Sequence, residues 1–386
     1  MEYSINKNAT TPWVNLPMTS ASPTAYIFPN VTDVLNATTT ATPTGLELFS
    51  NEYRAIHGHA APVICVLGII ANCLNIVVLT RKNMVSPTNI LLTWLAISDG
   101  ATMMVYLPYA ILNYHIYVKP MTSPLANAHY LMFFAISSVV VHSISIWLTV
   151  SLAVFRYVFI RYPRRGAKLC SIHRAKLTVF IVCLVVTLVC IPNSVSYTLK
   201  HEVGEQNNTA WYIGVRDDTP GYEFLKTFNL WIQAILVKLL PCFLLAVLSI
   251  LLIKQMNDAE SRRKKLMNKS NSKAEDDSRR QRKTNRTTRM LVVVVVLFVL
   301  TETPQGILQL MGGIYPHFFI TIYGPLGDLM DTLTLLNSGI NFVLYCTMSK
   351  HFRDTFIKIF LSDIAKATGV RGETQLMTRT TRVSEV

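Results

Sequence analysis

Asp99, Lys238, Glu302, Asp328 and Asp331 each stand inside a long apolar stretch, where a charged side chain needs a reason. Ser138, His142, Ser145 and Thr149 lie in another such stretch at spacings of four, three and four. That spacing stacks the four on one helical face. Continued through Leu152, it arrives at Arg156. From Leu131 to Phe155 there is no Asp, Glu, Lys or Arg, a length sufficient to cross a bilayer as a helix. Hydrocarbon supplies no hydrogen-bond partner, so a polar stripe within it must face protein or water. The chemistry open to these groups is binding: carboxylates pair with cations, and hydroxyl and amide oxygens suit hard ions. Catalysis is not indicated. The sequence holds no phosphate loop, metal-spaced His/Cys set or nucleophile elbow, and its intramembrane acids form no general acid–base pair.

The elements that must position these groups follow from composition. The 386 residues are 51% hydrophobic and only 15% charged, which marks a polytopic membrane protein. The net charge of +14 raises the question of nucleic acid, but its distribution answers for the membrane and no nucleic-acid partner is expected. Seven spans are predicted, at about 58–80, 88–112, 128–155, 175–198, 226–253, 289–313 and 319–346. The expected fold is all-α: a seven-transmembrane helix bundle (58–346), with the stripe-bearing third helix at its centre. With the N-terminus outside, 29 Lys and Arg lie on inner segments and six on outer ones, which sets the orientation. Residues 1–57 are expected as an extracellular, disordered tail glycosylated at Asn8, Asn30 and Asn36, with Asn207 a further acceptor in the second outer loop. Residues 1–50 are polar and hold no apolar core near Met1, so no secretory signal is expected there and the first span is expected to serve as its own insertion signal at the plasma membrane. None of the seven cysteines falls in an outer loop, so no outer disulfide is expected.

Further features refine the spans. Pro108 is expected to kink the second and open space for Tyr106 and Tyr109, and Glu302-Thr303-Pro304 to break the sixth. The loop from His201 to Gly221 is long enough to fold over a cavity mouth. The third inner loop, about 254–289, carries thirteen basic against five acidic residues. It suits anionic lipid or an acidic partner, and simple positive-inside anchoring explains it equally well. Its ends are expected to prolong the fifth and sixth spans as helices. Phe352, Phe356 and Phe360, four apart, predict an amphipathic interfacial helix over 347–361, followed by a cytoplasmic tail at 362–386. The tail ends Ser384-Glu385-Val386, which matches a ligand for a PDZ-type groove over three residues only.

Arg156-Tyr157 at the inner end of the third span, with Pro163 seven residues on, resembles the rhodopsin-like G-protein-coupled receptors. Asn72, the Leu95-Ala96-Ile97-Ser98-Asp99 run, Pro241, Phe298 with Pro304, Asn341 with Tyr345, and Phe352-Arg353 fit the family's other marks. Departures narrow the resemblance. Phe155 stands where an acid usually precedes the Arg, Glu302 where Trp is usual, Phe342 in place of the last-span Pro, and Leu131 at the usual Cys. With FRYVFIRYP, TETPQGIL and PLGDLMDTLTLLNSGINFVLYCTMSKHFRDTF, the chain is similar to invertebrate myosuppressin and FMRFamide-type neuropeptide receptors, with sex-peptide receptors as near relatives.

The resemblance implies a receptor that passes ligand binding to a heterotrimeric G protein, with inhibitory coupling at family level and arrestin recruited by a phosphorylated tail. Arg156, Tyr157, Pro163, Phe298, Pro304, Asn341 and Tyr345 would serve activation and coupling. Asp99, Ser145, Asn337 and Asn341 match the family's sodium cluster, an allosteric ion rather than a cofactor. The charge pattern suggests a negative outer cavity in which Asp331, Asp328 and Glu302 receive a cationic ligand, with Arg paired bidentately to Asp331 or Glu302. His142, Ser138, Tyr106, Tyr109 and Lys238 would complete the site for an amidated, RF-amide-type peptide. A structural network of Glu302 with Lys238 or His142 is the competing reading. A small amine is the alternative ligand, although Ser138 stands where amine receptors usually have Asp. A transporter or channel would also use intramembrane acids, but no internal repeat supports one.

Overall fold

The computed structural model describes residues 45–117, 124–203, 209–216, 221–267, 295–315 and 318–361. The glycosylation acceptors Asn8, Asn30, Asn36 and Asn207, most of the third inner loop, and the tail with Ser384–Val386 lie outside the described residues. Six helices among the described residues are long and apolar enough to cross a membrane. They are span 1 (Gly45–Leu79), span 2 (Pro87–Ile116), span 3 (Leu125–Arg161), span 4 (Ile172–Val195), span 5 (Thr227–Gln255) and span 6 (Val295–Ile314). Span 7 starts as a π turn, Phe319–Tyr323, runs on as Gly324–Gly339 and resumes as Asn341–Met348 after a break at Ile340. It completes the bundle.

Exposure follows the solvent. Leu67, Phe180, Leu188, Phe243, Ile250 and Leu300 point outward, while Asn72, Asp99, Ser145, Glu302 and Asn341 are buried. A bilayer rewards that inversion, because only the bundle interior offers hydrogen bonds. Span 3 packs against spans 2, 4 and 5 and against the outer hairpin, and reaches span 6 through His142 and Glu302. It has the central place that its polar stripe implied.

Span 1 begins at Gly45, so residues 45–57, read from composition as the end of the tail, are helical. At 35 residues the helix is about 52 Å long, well beyond a hydrocarbon core of about 30 Å. Its outer turns carry Tyr53 and His57, which bond across to span 7. Span 5 continues inward to Met267, as expected for the first flank of the basic loop.

The prolines are accommodated without breaking their helices. Pro108 lacks an N–H to give the preceding turn, and Tyr130 of span 3 donates to Val105 O at 2.6 Å beside it. Beyond it the helix widens to a π turn over Leu112–Ile116. Pro241 follows an eight-residue π-helical segment, Ile232–Leu239, in span 5. Span 6 runs unbroken through Pro304, contrary to the break that Glu302-Thr303-Pro304 suggested. Thr301 Oγ1 donates to Leu297 O and Phe298 O, at 3.1 and 3.0 Å, in the turn before it. Span 7 is distorted at Ile340 although Phe342 replaces the family's proline. There Gly339 lies against Gly68 of span 1, and the end of Met103 fills the space a side chain at Gly68 would take. Small residues permit this close approach.

The loop after span 4 is an antiparallel hairpin, β1 (Tyr197–Val203) and β2 (Thr209–Val215), in register His201 opposite Trp211. The all-α expectation contained no strand here. Tyr197 and Ile213 pack on Ala135 of span 3, which anchors the hairpin to the outer end of the bundle.

Inside the membrane surface, Ser349 caps the interfacial helix by accepting from Phe352 N at 3.2 Å. That helix runs Lys350–Phe356 and continues as a π turn to Leu361. Arg353 donates to Cys346 O and Thr347 O, closing the end of span 7. Phe352 is 1% exposed and meets the rings of Tyr345 and Phe342. Phe352→Ala should lower stability by about 3–5 kcal/mol, read as a fall in the thermal midpoint of detergent-purified protein. Phe360→Ala, at the half-buried end of the row, should shift it less.

Candidate functional site

The inner half holds the residues assigned to coupling. Phe298 and Tyr345 are buried in one apolar cluster, and Phe155 and Tyr157 pack against it. Arg156 is half-buried, and its Nε has no hydrogen-bond partner. Phe155 beside it offers none, as the sequence anticipated. Pro163 opens the short helix Pro163–Leu169, and Pro304 is exposed on span 6, away from the cluster.

Midway, Asp99 accepts from Ser145 Oγ at 2.5 Å and from Asn341 Nδ2 at 2.9 Å. Its remaining side-chain bond is to Ser338, not to Asn337, which is only half-buried. One helical position turns a side chain by about 100°, and span 7 presents Ser338 inward just before its distortion. Asn72 joins the cluster by donating to Ser338 O at 3.1 Å, while its Oδ1 is buried without a partner. Among the described residues no cationic side chain is paired with Asp99. A carboxylate ringed by neutral hydroxyl and amide groups, with an orphaned amide oxygen close by, fits a small hard cation.

Above it, three spans supply a buried charge cluster. Lys238 Nζ lies 2.5 Å from Glu302 Oε2, 2.9 Å from Gln305 Oε1 and 3.1 Å from His142 Nε2. His142 Nε2 is itself 3.2 Å from Glu302 Oε2. Glu302 is fully buried, and the π-helical turn of span 5 brings Lys238 and Gln233 to the same interior face. The structural network weighed against a ligand role for Glu302 is therefore present.

Higher still, Tyr106 donates to Asp331 Oδ2 at 3.0 Å and Tyr114 to Asp328 Oδ1 at 2.6 Å. His57 of span 1 bridges Tyr106 OH at 2.9 Å and Thr332 Oγ1 at 2.8 Å. Tyr109 stacks on Phe134 with ring centroids 4.1 Å apart.

Between these layers lies a crevice partly open to solvent. Of the residues expected to bind ligand, Tyr106, Ser138, His142, Lys238 and Asp331 line it. Asp328, Glu302 and Tyr109 do not. The expected negative cavity is corrected accordingly: Glu302 is paired with Lys238, and Asp331 is the carboxylate that remains on the wall. Sequence reasoning missed Gln233, Gln305 and Gln309, whose amides line the crevice, and the network residues His57, Tyr114 and Thr332. Gln305 and Gln309, three and seven residues after Glu302, carried the available signal of helical spacing, whereas Gln233, five before Lys238, shares its face only through the π turn.

The profile of the family described as serpentine type 7TM GPCR chemoreceptor Srw matches residues 59–363. The chain belongs to this family of seven-transmembrane G-protein-coupled receptors. The receptor is 30% identical over 352 residues to the G-protein coupled receptor dmsr-1 of Caenorhabditis elegans, covering 81% of this chain and 69% of that one. It is 31% identical over 321 residues to the sex peptide receptor of Drosophila melanogaster, covering 79% and 72%. The FMRFamide receptor of the same fly is 27% identical over 311 residues, covering 77% of this receptor and 52% of its own length.

Removing one member of a buried ion pair strands the other in low dielectric. Lys238→Met should cost the receptor about 3–5 kcal/mol of stability. The double variant Lys238→Met/Glu302→Leu should recover most of that loss in the same thermal-shift assay.

Proposed function

We propose that the receptor sits in the plasma membrane with its N-terminus outside and responds to a secreted, amidated peptide carrying Arg before an aromatic terminus. The observation carrying this is the crevice itself: Asp331 is the one carboxylate on its wall, and the other charge there, the Lys238 ammonium, is already held by Glu302. A guanidinium would pair bidentately with Asp331, taking the acceptor that Tyr106 now holds. Phe134, Val139, Val237 and Leu335 would receive an aromatic ring. Relatives named for sex peptide and FMRFamide support a peptide over an amine. The excess of basic residues on the segments assigned inward supports the orientation.

On the inner side the partner is a heterotrimeric G protein, received by Arg156, Tyr157 and Tyr345 when span 6 moves outward. Inhibitory coupling and arrestin recruitment by the tail complete the proposal. Span 6 cannot move far from span 5 while Lys238 holds Glu302, so this pair restrains the resting state. A sodium ion held by Asp99 with Ser145, Ser338 and Asn341 would supply the positive charge that the site's own side chains lack.

Asp331→Ala should raise the half-maximal concentration of Phe-Met-Arg-Phe-amide by about 10- to 100-fold in a G-protein activation assay. Replacing the peptide's Arg by citrulline should cost as much on the wild type and little further on Asp331→Ala. Additive losses would place the Arg elsewhere. For the ion, Asp99→Asn should abolish the sodium dependence of agonist affinity, measured as competition binding in sodium against N-methylglucamine chloride.

A further inference from the structure

At the outer edge of the bundle, His59 of span 1 and His115 of span 2 bring their rings together. The ring centroids are 5.0 Å apart with the planes inclined at 49°, and both residues are exposed. The backbone holds the pair in place. Gly58, the residue before His59, lies so close to span 2 that a side chain there would meet Tyr114 Cβ at 3.0 Å. Its carbonyl is bonded by His115 Nε2 at 2.9 Å. A carbonyl oxygen can only accept, so Nε2 carries a proton, and a neutral His115 keeps its lone pair on Nδ1. Metal-bound histidines are held in this way, with one ring nitrogen donating to a backbone carbonyl and the other left for the ion.

The chemistry of the pair selects the ion. Two imidazoles meeting one tetrahedral ion at about 2.0–2.1 Å have ring centres about 5 Å apart, which is the spacing His59 and His115 show. Neutral imidazole nitrogen suits zinc, copper and nickel, whereas calcium and magnesium require a set of oxygens. Among the described residues no third His, Cys, Asp or Glu joins the pair. Water would complete the shell, which makes the ion exchangeable rather than structural. An exposed position suits that arrangement, because two neutral ligands leave the charge of the ion to be solvated.

We propose that His59 and His115 form a two-histidine site for a borderline divalent metal ion such as zinc, which staples the outer end of span 1 to span 2. The site is separate from the crevice but shares a turn of span 1 with its supports. His57, two residues before His59, bonds Tyr106 and Thr332, and Tyr106 in turn donates to Asp331. A staple that fixes this turn keeps Tyr106 on the carboxylate that the peptide's Arg must take. This regulatory part rests on the peptide reading above; the metal site does not. The site also gives a role to the π turn Leu112–Ile116, which carries His115.

The test uses the full-length receptor, purified through a tag without histidines. Zinc chloride at about 100 µM should raise the thermal midpoint by about 2 °C or more, and magnesium or calcium chloride at the same concentration should not. His59→Ala and His115→Ala should each remove the zinc shift. Both residues are exposed, so neither substitution should unfold the receptor. His59→Cys, measured in a phosphine reductant, supplies a thiolate and should keep the shift. A zinc shift unchanged in both alanine variants, or absent from the wild type, overturns the site. In a G-protein activation assay the same zinc should raise the half-maximal concentration of Phe-Met-Arg-Phe-amide about fivefold at the wild type and not at His115→Ala. Equal potency with and without zinc overturns the link to the crevice. Wild-type receptor silent to the peptide overturns the peptide reading, while the thermal shift still decides the metal site.

Discussion

The Lys238–Glu302 pair is the contact on which the rest of the bundle turns. Two opposite charges sit in a protein interior that is itself surrounded by hydrocarbon, and neither can be left alone there. Satisfying them recruits His142 from span 3 and Gln305 from span 6, so one cluster ties together three helices. Lipid gives no hydrophobic reason for helices to associate, because its tails are as apolar as leucine. Such polar contacts, with close backbone approach at Gly68 and Gly339, carry the specificity of packing instead.

The backbone shows the same rule at a smaller scale. Around three intramembrane prolines the chain adjusts its bonding locally. Tyr130 donates to Val105 O beside Pro108, the Thr301 hydroxyl bonds Leu297 O and Phe298 O in the turns before Pro304, and span 5 widens to a π turn ahead of Pro241. The widened turn is also the one that carries Lys238 and Gln233, both buried and both on the crevice wall, so backbone accommodation and the lining of the crevice are here one feature.

Much of this was legible in the sequence for a plain reason: a bilayer punishes a misplaced charge so strongly that charges mark interior positions. Asp99, His142, Lys238, Glu302 and Asp331 were all found that way, and all are buried. The third span's central place followed from its stripe of hydroxyls. What stayed hidden depends on rotation and reach. Asn337 and Ser338 are adjacent and equally polar, and only the local winding of span 7 chooses between them. Asp328 and Asp331 are one turn apart, yet the phenols of Tyr114 and Tyr106 take them into separate contacts, and only Asp331 borders the crevice. The outer turns of span 1 read as tail because Tyr53, Arg54 and His57 are polar. Their partners, on spans 2 and 7, are far away in sequence. The hairpin was missed for a similar cause: the alternation in YTLKHEV is short, and its apolar face is defined by span 3 rather than by its own strands.

The departures from the wider family make physical sense as a set. Phe155 leaves Arg156 without an adjacent acid, so the inner end of span 3 is not held by the usual ionic contact. Phe342 removes the proline from span 7, and its ring instead joins Phe352 and Phe356 in an aromatic cluster that fixes the interfacial helix. Glu302 removes the tryptophan from span 6 and brings a charge that must be paired. In their place the structure has one ion pair in the bundle interior and one aromatic lock at the membrane surface. The ion pair lies within the same cluster as His142 and Gln305, both of which line the crevice. Any displacement of His142 or Gln305 from the crevice wall therefore bears directly on the contact that keeps spans 5 and 6 together, with no longer path between them to explain.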